Sequence, residues 1–103
     1  MTNKEYAEVL DYVSERSNEL DSVNMYKVHS TYDPKTNEIN KVTLKINYTK
    51  DGTTLPDING RLTKAMKRNV VCRTEQFRGD SCNKESIISF INELMETKEN
   101  QLY

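Results

Sequence analysis

Residues 39–49 read Ile39-Asn40-Lys41-Val42-Thr43-Leu44-Lys45-Ile46-Asn47-Tyr48-Thr49. Val42, Leu44, Ile46 and Tyr48 fall on one parity, and Lys41, Thr43, Lys45, Asn47 and Thr49 on the other. An apolar residue at every second position is the pattern of a strand with one buried and one wet face. This ribbon is expected to be the spine of the fold.

Upstream, Met25–Tyr32 reads MYKVHSTY. Tyr26, Val28 and Tyr32 share one parity and are expected to point inward. Lys27, His29 and Thr31 share the other. Between the two strands lies Asp33-Pro34-Lys35-Thr36-Asn37-Glu38, which is turn chemistry. Proline presets one backbone dihedral, and Asp and Asn bond their own main chain. An antiparallel hairpin follows. Downstream, Asp51-Gly52 either ends the spine or turns it into Thr53-Thr54-Leu55, which leaves room for a fourth strand.

Pro56-Asp57 opens a short amphipathic stretch, expected to be helical over residues 57–68. Ile58, Leu62, Ala65 and Met66 lie on one side; Arg61, Lys64, Lys67 and Arg68 lie on the other. Asn69–Phe77 has strand propensity, with Val71, Cys72 and Phe77 as candidates for burial. Arg78–Ser81 reads as a loop.

Helices are expected at both ends. Thr2 and Glu5 fit a capping box, in which each side chain satisfies the other residue's backbone N–H. Behind them Tyr6, Val9, Leu10, Val13 and Leu20 keep helical spacing, interrupted at Ser17, so a helix is predicted over residues 3–20. Ser81 or Asn83 can cap the last helix. Ile87, Ile88, Ile91, Leu94 and Met95 form its stripe over residues 84–98, with fraying expected over 98–103. The chain therefore reads as a single α+β domain over residues 1–103. The expected form is a two-layer sandwich: a three-stranded antiparallel sheet, both terminal helices on its Val42–Tyr48 face, and a short helix before the last strand.

The order helix, three strands, helix is similar to that of double-stranded-RNA-binding domains and of the small Alu-domain subunits of the signal recognition particle. The likeness is one of element order. Where an RNA-binding domain carries a basic cluster, at the start of its last helix, this chain offers Lys84 alone. The basic stretch at 57–68 is an addition to that pattern, and no residue roles carry over.

Composition narrows the function. Hydrophobic residues make up 35% of the 103, against about 45–50% in an ordinary domain. The core is thin, so a partner or a second copy is a plausible added source of stability. No apolar run nears the roughly 18 residues that cross a bilayer, so no membrane contact is expected. The opening MTNKEYAEVLDYV is amphipathic and unlike a signal peptide. A cytoplasmic location is expected, with Cys72 and Cys82 as reduced thiols. Asn, Lys, Ile and Tyr are frequent, which points to an AT-rich genome such as that of a firmicute, a phage or a protist.

The formal charge is −1, so nothing pulls the whole molecule towards nucleic acid. The charge is nevertheless segregated. Residues 1–23 carry two basic and six acidic side chains, residues 61–78 six basic and one acidic, and residues 79–103 two basic and five acidic.

Catalytic chemistry is not visible. The one histidine, His29, sits on an expected wet face, with no Ser or Cys in an activating context. With two cysteines the chain cannot complete a four-ligand structural zinc site. Its three glycines are scattered and form no phosphate cradle. No enzyme, cofactor or metal is expected.

What remains is the basic set: Arg61, Lys64, Lys67, Arg68, Arg73 and Arg78, extended over the polar sheet face by Lys27, Lys41 and Lys45. The leading expectation is a small non-enzymatic protein-binding module. In a phage or mobile element it would be an inhibitor occupying a host protein's surface. The alternative is a nucleic-acid-binding module gripping RNA or DNA backbone through residues 61–78. A third is a structural homodimer in which acidic helices meet the basic strip of the other copy.

Overall fold

The computed structural model describes residues 1–56 and 68–100. Their element order is α1 (Asn3–Ser17), β1 (Val23–Asp33), β2 (Glu38–Thr49), β3 (Val70–Arg78), a 3-10 turn at Gly79–Ser81, and α2 (Lys84–Asn100). The strands form one antiparallel sheet in the order β1-β2-β3. The class is α+β, and the ribbon 39–49 lies within its central strand. Among the described residues there is no fourth strand. Thr53–Leu55 instead leaves the sheet, and the Leu55 N–H donates to the Asp21 carbonyl at 2.8 Å. The helix expected over 57–68 lies outside the described residues apart from Arg68.

α1 starts where its capping box predicts. The Glu5 N–H donates to Thr2 Oγ1, and the Thr2 N–H to Glu5 Oε1, both at 3.1 Å. These bonds, the Thr2 backbone N–H above all, hold the Glu5 carboxyl below its usual range. The helix stops at Ser17 rather than residue 20. Ser17 breaks the apolar stripe, and its Oγ accepts the Met25 N–H at 2.9 Å, tying the end of the helix to the first strand. Asn83 caps α2, its Oδ1 accepting the Ser86 N–H at 2.8 Å. α2 continues to Asn100. Lys98, where fraying was expected to begin, is buried, with its Nζ 3.6 Å from the centre of the Tyr48 ring. Burial lowers the pKa of that ammonium.

The hairpin closes as its sequence dictates. The Lys35 N–H donates to Asp33 Oδ1 and the Asn37 N–H to the Asp33 carbonyl, both at 2.9 Å. Asn37 adopts φ 62°, a left-handed conformation that Asn tolerates better than most residues.

Val42, Leu44 and Ile46 are fully buried, in one core with Val9 and Val13 of α1 and Ile87, Ile91 and Met95 of α2. Phe77 of β3 meets Phe90 of α2 edge-on, centroids 5.4 Å apart. The helices also touch each other directly, through Tyr12–Asn92 and an ion pair between Glu8 and Lys84.

The expected faces of two strands also require correction. The first is the parity of β1. Val23 and Met25 are its buried residues, whereas Tyr26, Val28 and Tyr32 are 43%, 53% and 45% exposed. Met25 pairs with Ile46, so Tyr26 shares the opposite face with Lys45. A register shift between Lys27 and His29 then places Val28 in a bulge. In a strand a one-residue offset moves every side chain to the other face. The second is the wet face of β2. Thr43, Asn47 and Thr49 are buried there, and Lys41 and Lys45 half-buried. The strand is central, so Thr43 and Asn47 have neighbours on both sides, and Thr49 turns its hydroxyl to the Thr53 carbonyl at 2.6 Å.

Candidate partner and ligand surface

Directly opposed residues in an antiparallel pair point to the same face. The two registers therefore read out the polar side of the sheet rung by rung. Thr31, Lys41 and Arg78 form one rung, and His29, Thr43 and Gln76 the next. Tyr26, Lys45 and Thr74 follow, then Asn24, Asn47 and Cys72. Of the basic residues singled out in the sequence, Lys41, Lys45 and Arg78 thus come together on one face.

The rest do not join them. Lys27 lies opposite Leu44, and Arg73 opposite Ile46, which puts both on the apolar side. Lys27 is exposed there at the sheet edge. Arg73 holds Glu75 (Nη2 to Oε2, 3.0 Å), and its guanidinium lies 5.4 Å from the centre of the Phe90 ring. It covers the core rather than offering a free charge. Arg68 is exposed at the entry to β3. Arg61, Lys64 and Lys67 lie outside the described residues.

At the end of the polar face where β1 begins is a cavity of about 760 Å³. Its floor is made of two rungs, Tyr26–Lys45 and Asn24–Asn47–Cys72. One wall is the α1–β1 turn at Leu20 and Asp21. The other is Leu55-Pro56, fastened to the first by the Leu55–Asp21 backbone bond. Asn47 is 2% exposed, and its Oδ1 has no hydrogen-bond partner among the described residues. Sequence reading overlooked Tyr26, Asn24 and Asn47 as surface-defining groups. The signal lay in Val23 and Met25, whose inward parity sends Asn24 and Tyr26 the other way.

Beside this cavity the chain leaves β2 through a polar staple. The Asp51 carboxylate accepts from Thr53 Oγ1 at 2.6 Å, from the Thr53 N–H at 3.1 Å and from Asn69 Nδ2 at 2.9 Å. In return, the Asp51 N–H donates to Asn69 Oδ1 at 3.3 Å. The staple joins the exit of β2 to the entry of β3. The Thr53 hydroxyl, then Asn69, hold the Asp51 pKa at about 2. A folded-state pKa depressed below the ordinary carboxylate value near ~3.9 gives stability that is present above that value. It is lost as pH falls towards 2. The urea midpoint of the wild type should therefore approach that of Asp51→Asn between pH 5 and pH 2. A gap that stays constant over that range would contradict this role.

Other chemistry is sparse. Cys72 and Cys82 are free thiols, and Cys72, a candidate for burial in the sequence, is exposed. Cys82 is buried, with its Sγ donating to the Ile39 carbonyl at 3.7 Å, and burial pushes its pKa up. Among the described residues no group of three or more His, Cys, Asp or Glu could hold a metal ion. No helix among them is long and apolar enough to cross a membrane.

No protein-family model, no curated protein and no solved structure matches this chain.

Proposed function

We propose that this chain is a small, non-enzymatic protein-binding module that works by covering part of a partner protein. The supporting arrangement is a two-layer sandwich in which both helices cover the apolar sheet face, leaving the polar face and the β1 edge for the partner. The observation that carries the reading is the exposure of Tyr26, Val28 and Tyr32 along an edge strand. Tyrosine is enriched in protein interfaces, where it supplies large contact area with a polar tip. An edge strand adds unpaired backbone groups on which a partner strand can pair. A phage or mobile-element protein with these features would inhibit its partner by occupancy.

The test compares the immobilised wild type with the double variant Val28→Asp, Tyr32→Asp in nuclease-treated lysate. Both side chains are exposed, so the variant should keep its thermal midpoint within a few degrees. The wild type should retain one protein in stoichiometric amount, and the variant should lose at least roughly tenfold of it. Equal retention by both, or recovery of nucleic acid alone, would overturn the reading.

A second reading, nucleic-acid backbone binding, is favoured by one observation. Lys41 and Arg78 share a rung, and Lys45 and Tyr26 lie on the same face. The same columns test it. Labelled duplex should be retained at about 50 mM salt and released by about 200 mM. No retention at the lower salt would remove it.

A further inference from the structure

The polar sheet face carries a pair of like charges that no carboxylate offsets. We infer that this face takes an acidic segment of the partner protein, held by Arg78, Lys41 and Lys45. The inference rests on the partner-protein reading and names the chemistry of the partner where it meets the sheet.

Lys41 of β2 and Arg78 of β3 are directly opposed. Side chains so placed stand about 4.5–5.5 Å apart at Cβ, and like charges there repel each other. Lys45 follows on the same face, four residues along β2 and so about 13 Å away at roughly 3.3 Å per residue. The three rungs that hold these cations, Thr31–Lys41–Arg78, His29–Thr43–Gln76 and Tyr26–Lys45–Thr74, contain no carboxylate. Among the described residues none of the three cations forms an ion pair. Arg73, on the other face, has Glu75. The fold thus neutralises the cation that covers its core and leaves those of the polar face to something outside it. A partner carboxylate set between Lys41 and Arg78 would turn their repulsion into two attractions.

The groups suit carboxylates. Exposed Arg78 offers a planar fork that can grip both oxygens of one carboxylate. Lys41 and Lys45, half-buried, add point charges, and exposed Gln76 and Thr74 of β3 add neutral donors beside them. The extent of the cluster favours protein over nucleic acid. Asp33 and Glu38 oppose each other at the closed end of the hairpin, and Asp21 walls the cavity at the other end of the face. A phosphate backbone is charged at every nucleotide, so a strand crossing the sheet would meet those carboxylates. A protein segment with a few acidic side chains avoids them.

Fluorescence anisotropy with a labelled ten-residue glutamate peptide tests the face, and an oligothymidylate of the same length puts comparable charge on phosphates. At about 50 mM salt the glutamate peptide should bind saturably, and about 200 mM salt should weaken it at least tenfold. Arg78→Glu should cut binding at least tenfold while holding or raising the thermal midpoint, because it makes the repelling pair an attracting one. Lys45→Gln, which adds no negative charge, should also weaken binding. The control Lys4→Glu, Lys27→Glu changes two exposed cations on the helix side of the sheet and should leave binding within about threefold. No saturable binding of the glutamate peptide overturns the inference, as does a loss in Arg78→Glu no greater than in the control. Oligothymidylate binding tenfold or more tightly than the peptide overturns it by assigning the face to nucleic acid. A doubled mass of the protein alone that Arg78→Glu abolishes overturns it by assigning the face to a second copy. Should any of these occur while Val28→Asp, Tyr32→Asp still loses the captured protein, the partner-protein reading stands and only the acidic segment falls.

Discussion

Leu44→Ala is expected to lower the unfolding free energy by about 2–5 kcal/mol, the range for removing a large aliphatic side chain from a packed core. Leu44 is fully buried in the central strand, between Lys27 of β1 and Glu75 of β3 on its own face. Neither of those long, charged neighbours fills the space that the missing isopropyl group leaves. The rest of its surroundings is a core of side chains that are themselves fully buried, Val9, Ile87, Ile91 and Met95 among them, and so already packed. Relaxation should therefore be partial and the loss towards the upper part of the range. For a domain of this size each kcal/mol is worth roughly 4–8 °C, so the thermal midpoint should fall by about 15–40 °C. The exposed control Val28→Ala should shift it by less than about 0.5 kcal/mol equivalent. A Leu44→Ala midpoint equal to that of the control would show that β2 is not the spine.

The parts of the fold that were legible in the sequence are those where one physical cause acts alone. The period of two in Val42–Tyr48 survives because β2 has a buried face whatever its neighbours do. The capping box of α1 and the Asn83 cap of α2 are local, and both form as their residues dictate. The turn at 33–38 is local too, its Asp and Asn bonding within the loop.

What the sequence concealed depends on partners far along the chain. Tyr26 looks like a core residue by type. Its side is set by which residue faces Ile46, and that residue is Met25. The bulge at Val28 then shifts parity again, and nothing in KVHST announces it. Asn47 and Thr43 read as wet because they are polar; they are buried because β2 is central. The basic set shows the same limit. Arg73 and Arg78 are five residues apart in one strand, so they fall on opposite faces, and only Arg78 joins Lys41 and Lys45. Ser17, read as a defect in a helix stripe, is the group that receives the Met25 N–H.

Among the described residues β1 is an edge strand with Tyr26, Val28 and Tyr32 exposed, whereas Val42, Leu44 and Ile46 of β2 are fully buried. An edge strand turns about half of its N–H groups away from its single neighbour. The Met25 N–H is already bonded to Ser17, so the open amides fall later, between Lys27 and Thr31. Amide hydrogen exchange on the isolated protein measures this residue by residue. The outward amides of 27–31 should exchange at least about 100-fold faster than those of Val42, Leu44 and Ile46, which should open only with global unfolding. Protection along 27–31 equal to that of β2 would contradict it, because the edge would then already be covered.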